Sequence, residues 1–149
     1  MSNSAVEIAN LLYQYAEFID GGALEKAAAL FRHAQVKVSS DAKFLAEADL
    51  LALWRSHVKL YACGTPRTKH VITNPIIEID EAANSASVRS YYTVYQALEG
   101  FPLQLIASGR YHDRFERASG AWRFSYRDYS LLDFVGDISH HLNQRPQAF

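Results

Sequence analysis

A handful of histidine, aspartate and tyrosine positions carry the chemistry that this 149-residue sequence can offer. His70 lies in Pro66-Arg-Thr-Lys-His-Val-Ile-Thr-Asn-Pro75, a run that otherwise reads as a β-strand with a proline at each end. Imidazole suits proton abstraction near neutral pH, so His70 is either a general base or an ordinary strand-end histidine. Asp20 precedes Gly21-Gly22. It reads either as a turn former bonding its own backbone or as a carboxylate in a site. Tyr15 lies on the apolar stripe of a helix and points inward under either a packing or a chemical role.

Other chemistries find less support. Six histidines invite a metal reading, but no His-x-His, His-Glu-x-x-His or Cys-x-x-Cys occurs. His140 and His141 are adjacent, a poor spacing for shared coordination on either a strand or a helix. Cys63, beside Gly64, reads as a buried small hydrophobe. No Gly-rich phosphate loop or dinucleotide fingerprint is present. Neither a cofactor nor a metal is expected.

The elements that must position these residues follow from spacing. Ser4-Ala-Val-Glu7 reads as a capping box, and Ile8, Leu11, Leu12, Tyr15 and Ile19 recur at helical spacing until Gly21-Gly22. A second helix is expected over Leu24 to His33, a short strand over Val36 to Val38, and a third helix over Glu47 to Tyr61 with Trp54 on its apolar face. After Pro66 the period changes to two. Strands are expected over 69–79, 86–97, 103–117 and 121–131, with Leu131 to Leu142 as a closing helix and a frayed tail from Asn143. Three helices followed by an antiparallel meander is an α+β order.

Strand parity sorts the side chains. Val88, Ser90, Tyr92 and Val94 form the more apolar face of their strand, which turns Tyr92 inward. Gly109, Tyr111, Asp113 and Phe115 share a face opposite Arg110, His112, Arg114 and Glu116, so His112 faces out or into a subunit contact. Trp122, Phe124 and Tyr126 alternate with Arg123, Ser125 and Arg127. Plain alternation puts Arg127 outside, paired at the surface with Asp128 or Asp113, and a β-bulge would reverse this.

Composition bounds the rest. One domain, 1–149, is expected, with about half its residues hydrophobic. A formal net charge of −1 offers no basic stripe for nucleic acid. The N-terminus reads as neither signal peptide nor membrane span, and the single cysteine makes a reducing cytoplasm the default.

Three segments carry a family resemblance: Tyr15-Ala-Glu-Phe-Ile-Asp20-Gly; Arg67-Thr-Lys-His70-Val-Ile-Thr-Asn74; and Gly109-Arg-Tyr111-His-Asp-Arg-Phe-Glu-Arg117 leading to Gly120-Ala-Trp122-Arg-Phe. On these the chain resembles the SnoaL-like branch of the NTF2-like superfamily. The resemblance implies a cystatin-like α+β barrel, with N-terminal helices packed on a highly curved antiparallel sheet around a conical pocket. Within that branch the sequence looks like scytalone dehydratase, bile acid 7α-dehydratase and a dehydrochlorinase. Their Asp at the end of the first helix and His at a strand start match Asp20 and His70. The bile acid enzyme's Tyr matches Tyr15, and a basic residue on the last strand matches Arg127. Scytalone dehydratase has a Tyr directly before its Asp, where this chain has Ile19. Its second histidine falls near His112, where Tyr111 aligns at least as well.

The resemblance therefore implies a cofactor-independent lyase acting on a small cyclic or aromatic hydrophobic molecule. His70 is the expected base, Asp20 its orienting partner and Tyr15 a catalytic hydroxyl. Tyr92, Tyr111, Arg127 and Trp54 are the expected substrate contacts. Two alternatives stay open: a ketosteroid-isomerase-like proton transfer, and a non-catalytic role as a β-subunit-like partner of a ring-hydroxylating dioxygenase or a hydrophobic ligand carrier. The expected partners are a small molecule and copies of the same chain, a trimer in preference to a dimer. No nucleic acid or membrane is expected.

Overall fold

In a computed structural model that describes residues 3–40 and 43–143, the chain runs α1 (Ser4–Asp20), α2 (Leu24–Ala29), β1 (Gln35–Lys37), α3 (Glu47–His57), β2 (Thr68–Asp80), β3 (Ser85–Leu98), β4 (Phe101–Ala118), β5 (Ala121–Asp128) and β6 (Leu132–Val135). This is the expected α+β architecture, with helices packed on a curled sheet of order β1-β5-β4-β3-β2. β2 to β5 form an antiparallel meander, and β1 joins its edge parallel to β5. β4 is long enough to serve two partners: its first half pairs with β6 and its second half with β5.

The apolar stripe of α1 packs as its spacing requires. Ile8, Leu12, Tyr15 and Ile19 are buried with Leu24, Ala27, Ala28 and Phe31 of the α2 region against the inner sheet face. The N-cap differs from the expected capping box. Asn3 takes that role, its Oδ1 accepting from the amides of Ala5 (3.1 Å) and Val6 (3.3 Å), while Ser4 is the first helical residue. The second helix stops at Ala29 rather than His33, because tight turns over Leu30 to Ala34 carry the chain into β1.

The third helix stops at His57 rather than Tyr61. Val58 is extended (φ −77°, ψ 122°) because it bridges to Leu142. The same long-range pairing corrects the expected closing helix. Leu132–Val135 is a strand on β4, and 138–142 forms a turn that runs back to α3. Asn143, expected to begin a frayed tail, is anchored: its amide N–H donates to His57 O (2.9 Å) and its Nδ2–H to Ser56 O (2.8 Å). The rest of that tail lies outside the described residues.

Bulges bend the sheet and reset its parity. β2 carries one at Asn74-Pro75, where Asn74 has φ 40° and the proline has no N–H to offer the ladder. In β5, Phe124 pairs with Phe115 and Tyr126 with Arg114, so Ser125 is the extra residue. Beyond it the inner positions shift by one, and Arg127 joins Trp122 and Phe124 inside. The outer face leaves Val71, Tyr91, Leu105 and Phe134 exposed. No helix among the described residues is long and apolar enough to cross a membrane.

Candidate active site

The end of α1 and the start of β2 meet through glycine. Gly22 has φ +76°, a left-handed conformation that completes the helix terminus. A Cβ there would stand 1.9 Å from the carbonyl oxygen of Gly64, so only glycine lets the end of α1 lie against the loop that feeds β2. The contact places Asp20 beside Thr68 and His70. Asp20 Oδ2 accepts the His70 backbone N–H (2.7 Å), and Oδ1 accepts the Thr68 hydroxyl (2.9 Å). His70 Nδ1 stands 2.6 Å from the same Oδ1.

A carboxylate at a helix C-terminus faces the negative end of the helix dipole, and these three donors offset that cost. They also decide the tautomer. An ionised carboxylate only accepts, so Nδ1 carries a proton, and in the neutral ring Nε2 keeps the lone pair. The two side chains are 6% and 10% exposed. Nothing among the described residues hydrogen-bonds Nε2, and the ring lines a cavity of about 500 Å³.

The cavity wall is mostly apolar, with Ile19, Leu50, Trp54, Val94 and Leu132 among its residues. Its polar side chains are His57, His70, His141, Ser39, Ser40, Ser130, Tyr92, Tyr111 and Tyr129. Tyr92 stacks on Tyr111 with ring centroids 4.3 Å apart. Gly109 makes room for it, since a Cβ there would fall 2.6 Å from both the Tyr92 hydroxyl and Leu131 O. Burial pushes the phenols of Tyr15, Tyr92, Tyr111 and Tyr129 above their ordinary value, so at neutral pH they remain protonated donors.

Tyr15 and Arg127 stand one layer behind this wall and do not line it. The Tyr15 hydroxyl is hydrogen-bonded to that of Tyr129, and either oxygen can be the donor. Arg127, 1% exposed, forms a two-pronged ion pair with the fully buried Asp113 (2.7 and 3.0 Å). The surface pairing expected for Arg127 is therefore corrected to a buried one, because the Ser125 bulge turns the side chain inward. Its guanidinium carbon lies 3.8 Å from the Tyr111 ring centroid and 4.4 Å from that of Tyr15. Burial works against the Arg127 charge, yet Asp113 more than offsets it and raises the pKa above the ordinary arginine value. The positive charge in turn opposes, without reversing, the upward shift of Tyr15 and Tyr111.

His70, Asp20, Tyr92, Tyr111 and Trp54 are thus gathered at or beside one cavity. His112 is on the opposite sheet face, in a shallow groove with Arg89, Arg114 and Tyr126. Cys63 is exposed, contrary to its expected burial: its loop turns on Gly64 (φ +82°) and leaves Sγ 3.1 Å from Thr65 Oγ1. No cluster of His, Cys, Asp and Glu among the described residues is arranged to hold a metal ion.

Sequence reasoning missed Tyr129, Ser130 and His141, and also His57, Ser39 and Ser40 on the same wall. Tyr129 and Ser130 lie beyond β5, where parity has already been lost. Nothing in the spacing marked His141, whose segment read as a helix. Asp113 as the buried partner of Arg127 was recoverable, since parity already placed it beside Tyr111.

His141 has a measurable consequence for stability. Burial first, and His70 second, push its imidazole down to about 3, against an ordinary value near 6.5. The unfolded chain therefore binds a proton that the folded chain refuses. Stability from this group is complete above pH 6.5 and falls as pH drops toward 3, by on the order of 1.4 kcal/mol per pH unit. Denaturant unfolding between pH 7 and 4.5 is expected to show a steeper loss for the wild type than for His141→Gln. Parallel pH profiles for the two chains would contradict this.

Comparisons with known proteins agree with the fold. No curated protein sequence matches. Among solved structures, an NTF2-like protein with a cystatin-like fold from Novosphingobium aromaticivorans has a TM-score of 0.69 at 19% identity, covering 89% of this chain and 84% of that one. A candidate scytalone dehydratase from the same organism has a TM-score of 0.68 at 19% identity, covering 89% and 86%. The β subunit of a candidate aromatic-ring-hydroxylating dioxygenase, again from N. aromaticivorans, has a TM-score of 0.65 at 20% identity, covering 88% and 90%. The sequence profile of the SnoaL-like domain matches residues 2–128, and with that match over most of its length the chain belongs to the SnoaL-like domain family, on an NTF2-like, cystatin-like fold.

Proposed function

We propose that the protein is a cofactor-independent carbon–oxygen lyase that dehydrates a small cyclic or aromatic substrate, with His70 as its base. The observation that carries this reading is the 2.6 Å contact between His70 Nδ1 and Asp20, which leaves the Nε2 lone pair on the wall of an apolar cavity.

The substrate is a ring with a hydroxyl one carbon away from an acidified C–H. Nε2 takes the C–H proton, and the C–H electron pair forms the new double bond. The C–O bond breaks with its pair on oxygen, and the leaving hydroxide takes the proton back from the imidazolium as water. Asp20 stabilises that imidazolium and holds the ring in place. Tyr92, Tyr111 and, when Tyr15 is the donor of their shared hydrogen bond, Tyr129 offer neutral donors to the negative oxygen, in a cavity where water competes little. Behind them, Arg127 contributes a fixed positive field. The same base could return the proton to another carbon, which would make the reaction an isomerisation. The apolar wall with a few convergent donors suits a cyclic substrate in either case.

The test is a screen of β-hydroxy cyclic ketones, read by the absorbance of the conjugated product. Wild-type protein is expected to release water from at least one. His70→Ala, folded as judged by circular dichroism, is expected to release none above background. A folded His70→Ala chain that retains wild-type turnover would remove His70 from the mechanism.

A further inference from the structure

The C-terminal turn that closes the cavity has no part in the reaction described above. Ile138, His141 and Leu142 line the cavity there. The backbone of the turn is firmly held: His141 O accepts the Lys59 amide (2.9 Å), and His140 O accepts both the Gln96 side-chain amide (3.0 Å) and the Tyr61 hydroxyl (2.5 Å). Held in this way, the His141 ring stands edge-on to that of His70, with centroids 6.0 Å apart. It is 7% exposed.

The two ring nitrogens of His141 differ. Nδ1 is sealed from solvent and has no hydrogen-bond partner among the described residues. Buried N–H groups without partners are rarer in proteins than buried acceptors without them, so the proton belongs on Nε2. No hydrogen bond among the described residues engages that Nε2 either. His70 presents an acceptor to the cavity, and His141 presents a donor beside it.

We propose that His141 is a second substrate-binding imidazole, donating Nε2–H to an oxygen on the ring position next to the one that His70 deprotonates. This deepens, and rests on, the reading of His70 as the base of this cavity. His141 stays neutral and keeps its proton. Its hydrogen bond strengthens as negative charge grows on that oxygen, which favours the transition state over the ground state. The pair also sets orientation: a substrate bound the other way round leaves the His141 donor unpaired in an apolar wall, a costly arrangement. The cavity is therefore matched to a cyclic compound bearing a hydroxyl or oxo group, and it discriminates against the bare hydrocarbon.

The probes are 2-naphthol and naphthalene, which share one apolar body and differ by a hydroxyl. Wild-type protein is expected to bind 2-naphthol more tightly. His141→Leu is expected to weaken 2-naphthol by about tenfold, leave naphthalene within about twofold, and lose to His141→Gln, whose amide N–H restores most of the preference. Equal loss for both probes, no loss for either, or a wild type that binds both alike would overturn the proposal. Long-range ¹⁵N–¹H correlation spectra of the wild type test it without any variant: Nε2–H at His141 is expected, and Nδ1–H would overturn it. Failure of the base reading looks different. In that case His70→Ala keeps turnover while the dependence of 2-naphthol binding on His141 persists.

Discussion

Replacing Asp20 by asparagine is expected to lower turnover by about a thousandfold or more while the chain still folds. The carboxylate accepts at both oxygens: Oδ2 takes the His70 backbone N–H, and Oδ1 takes the Thr68 hydroxyl and faces His70 Nδ1. An amide has one acceptor and one donor end. If its oxygen meets Nδ1, its NH₂ opposes the His70 backbone N–H. If its oxygen meets that backbone N–H, its NH₂ meets Nδ1 and the Thr68 hydroxyl, both of which can accept. The second arrangement satisfies every group, and it moves the imidazole proton to Nε2. The proposed base then has no lone pair in the cavity. A steady-state kcat, together with ¹⁵N shifts of the His70 ring, checks both halves of the argument. A folded Asp20→Asn chain that loses less than about tenfold would sink it.

The largest stability effect is expected at Asp113. Asp113→Ala leaves the guanidinium of Arg127 buried without its counter-charge, at a cost of about 3–5 kcal/mol in unfolding free energy. The rings of Tyr15 and Tyr111 remain over Arg127, but cation–π contacts are each worth about 0.5–2 kcal/mol and are already present in the wild type. They do not make good the loss. Adding Arg127→Met removes the stranded charge and fills most of its volume, so the double variant is expected to recover much of what the single one loses. Denaturant midpoints of the three chains measure this. A loss below about 1 kcal/mol in Asp113→Ala would show that the pair carries little of the fold's stability.

What the sequence reveals and what it hides divide along sequence distance. The stripe of α1 and the alternation of β3 are local patterns, and both survive folding as read. The end of α3 and the shape of the 131–142 segment depend on each other, through the Val58–Leu142 bridge and the pairing of β6 with β4. Leu131, Phe134, Val135, Ile138 and Leu142 carry helical spacing, and the non-local pairing overrides it. Asp20 and His70 are fifty residues apart, and no spacing rule joins them. Their meeting depends on Gly22 passing close to Gly64, a steric fact that sequence periodicity does not encode.

The extra residue at Ser125 bears on how relatives should be compared. Between Phe124 and Arg127 the count of residues, and not their type, decides which side of the sheet the arginine reaches. A homologue lacking one residue there would keep its arginine in a gapped alignment and still present it to solvent. Transfer of a role from one member to another across β5 is therefore sound only where the interval between the inward aromatic and the basic residue is the same length.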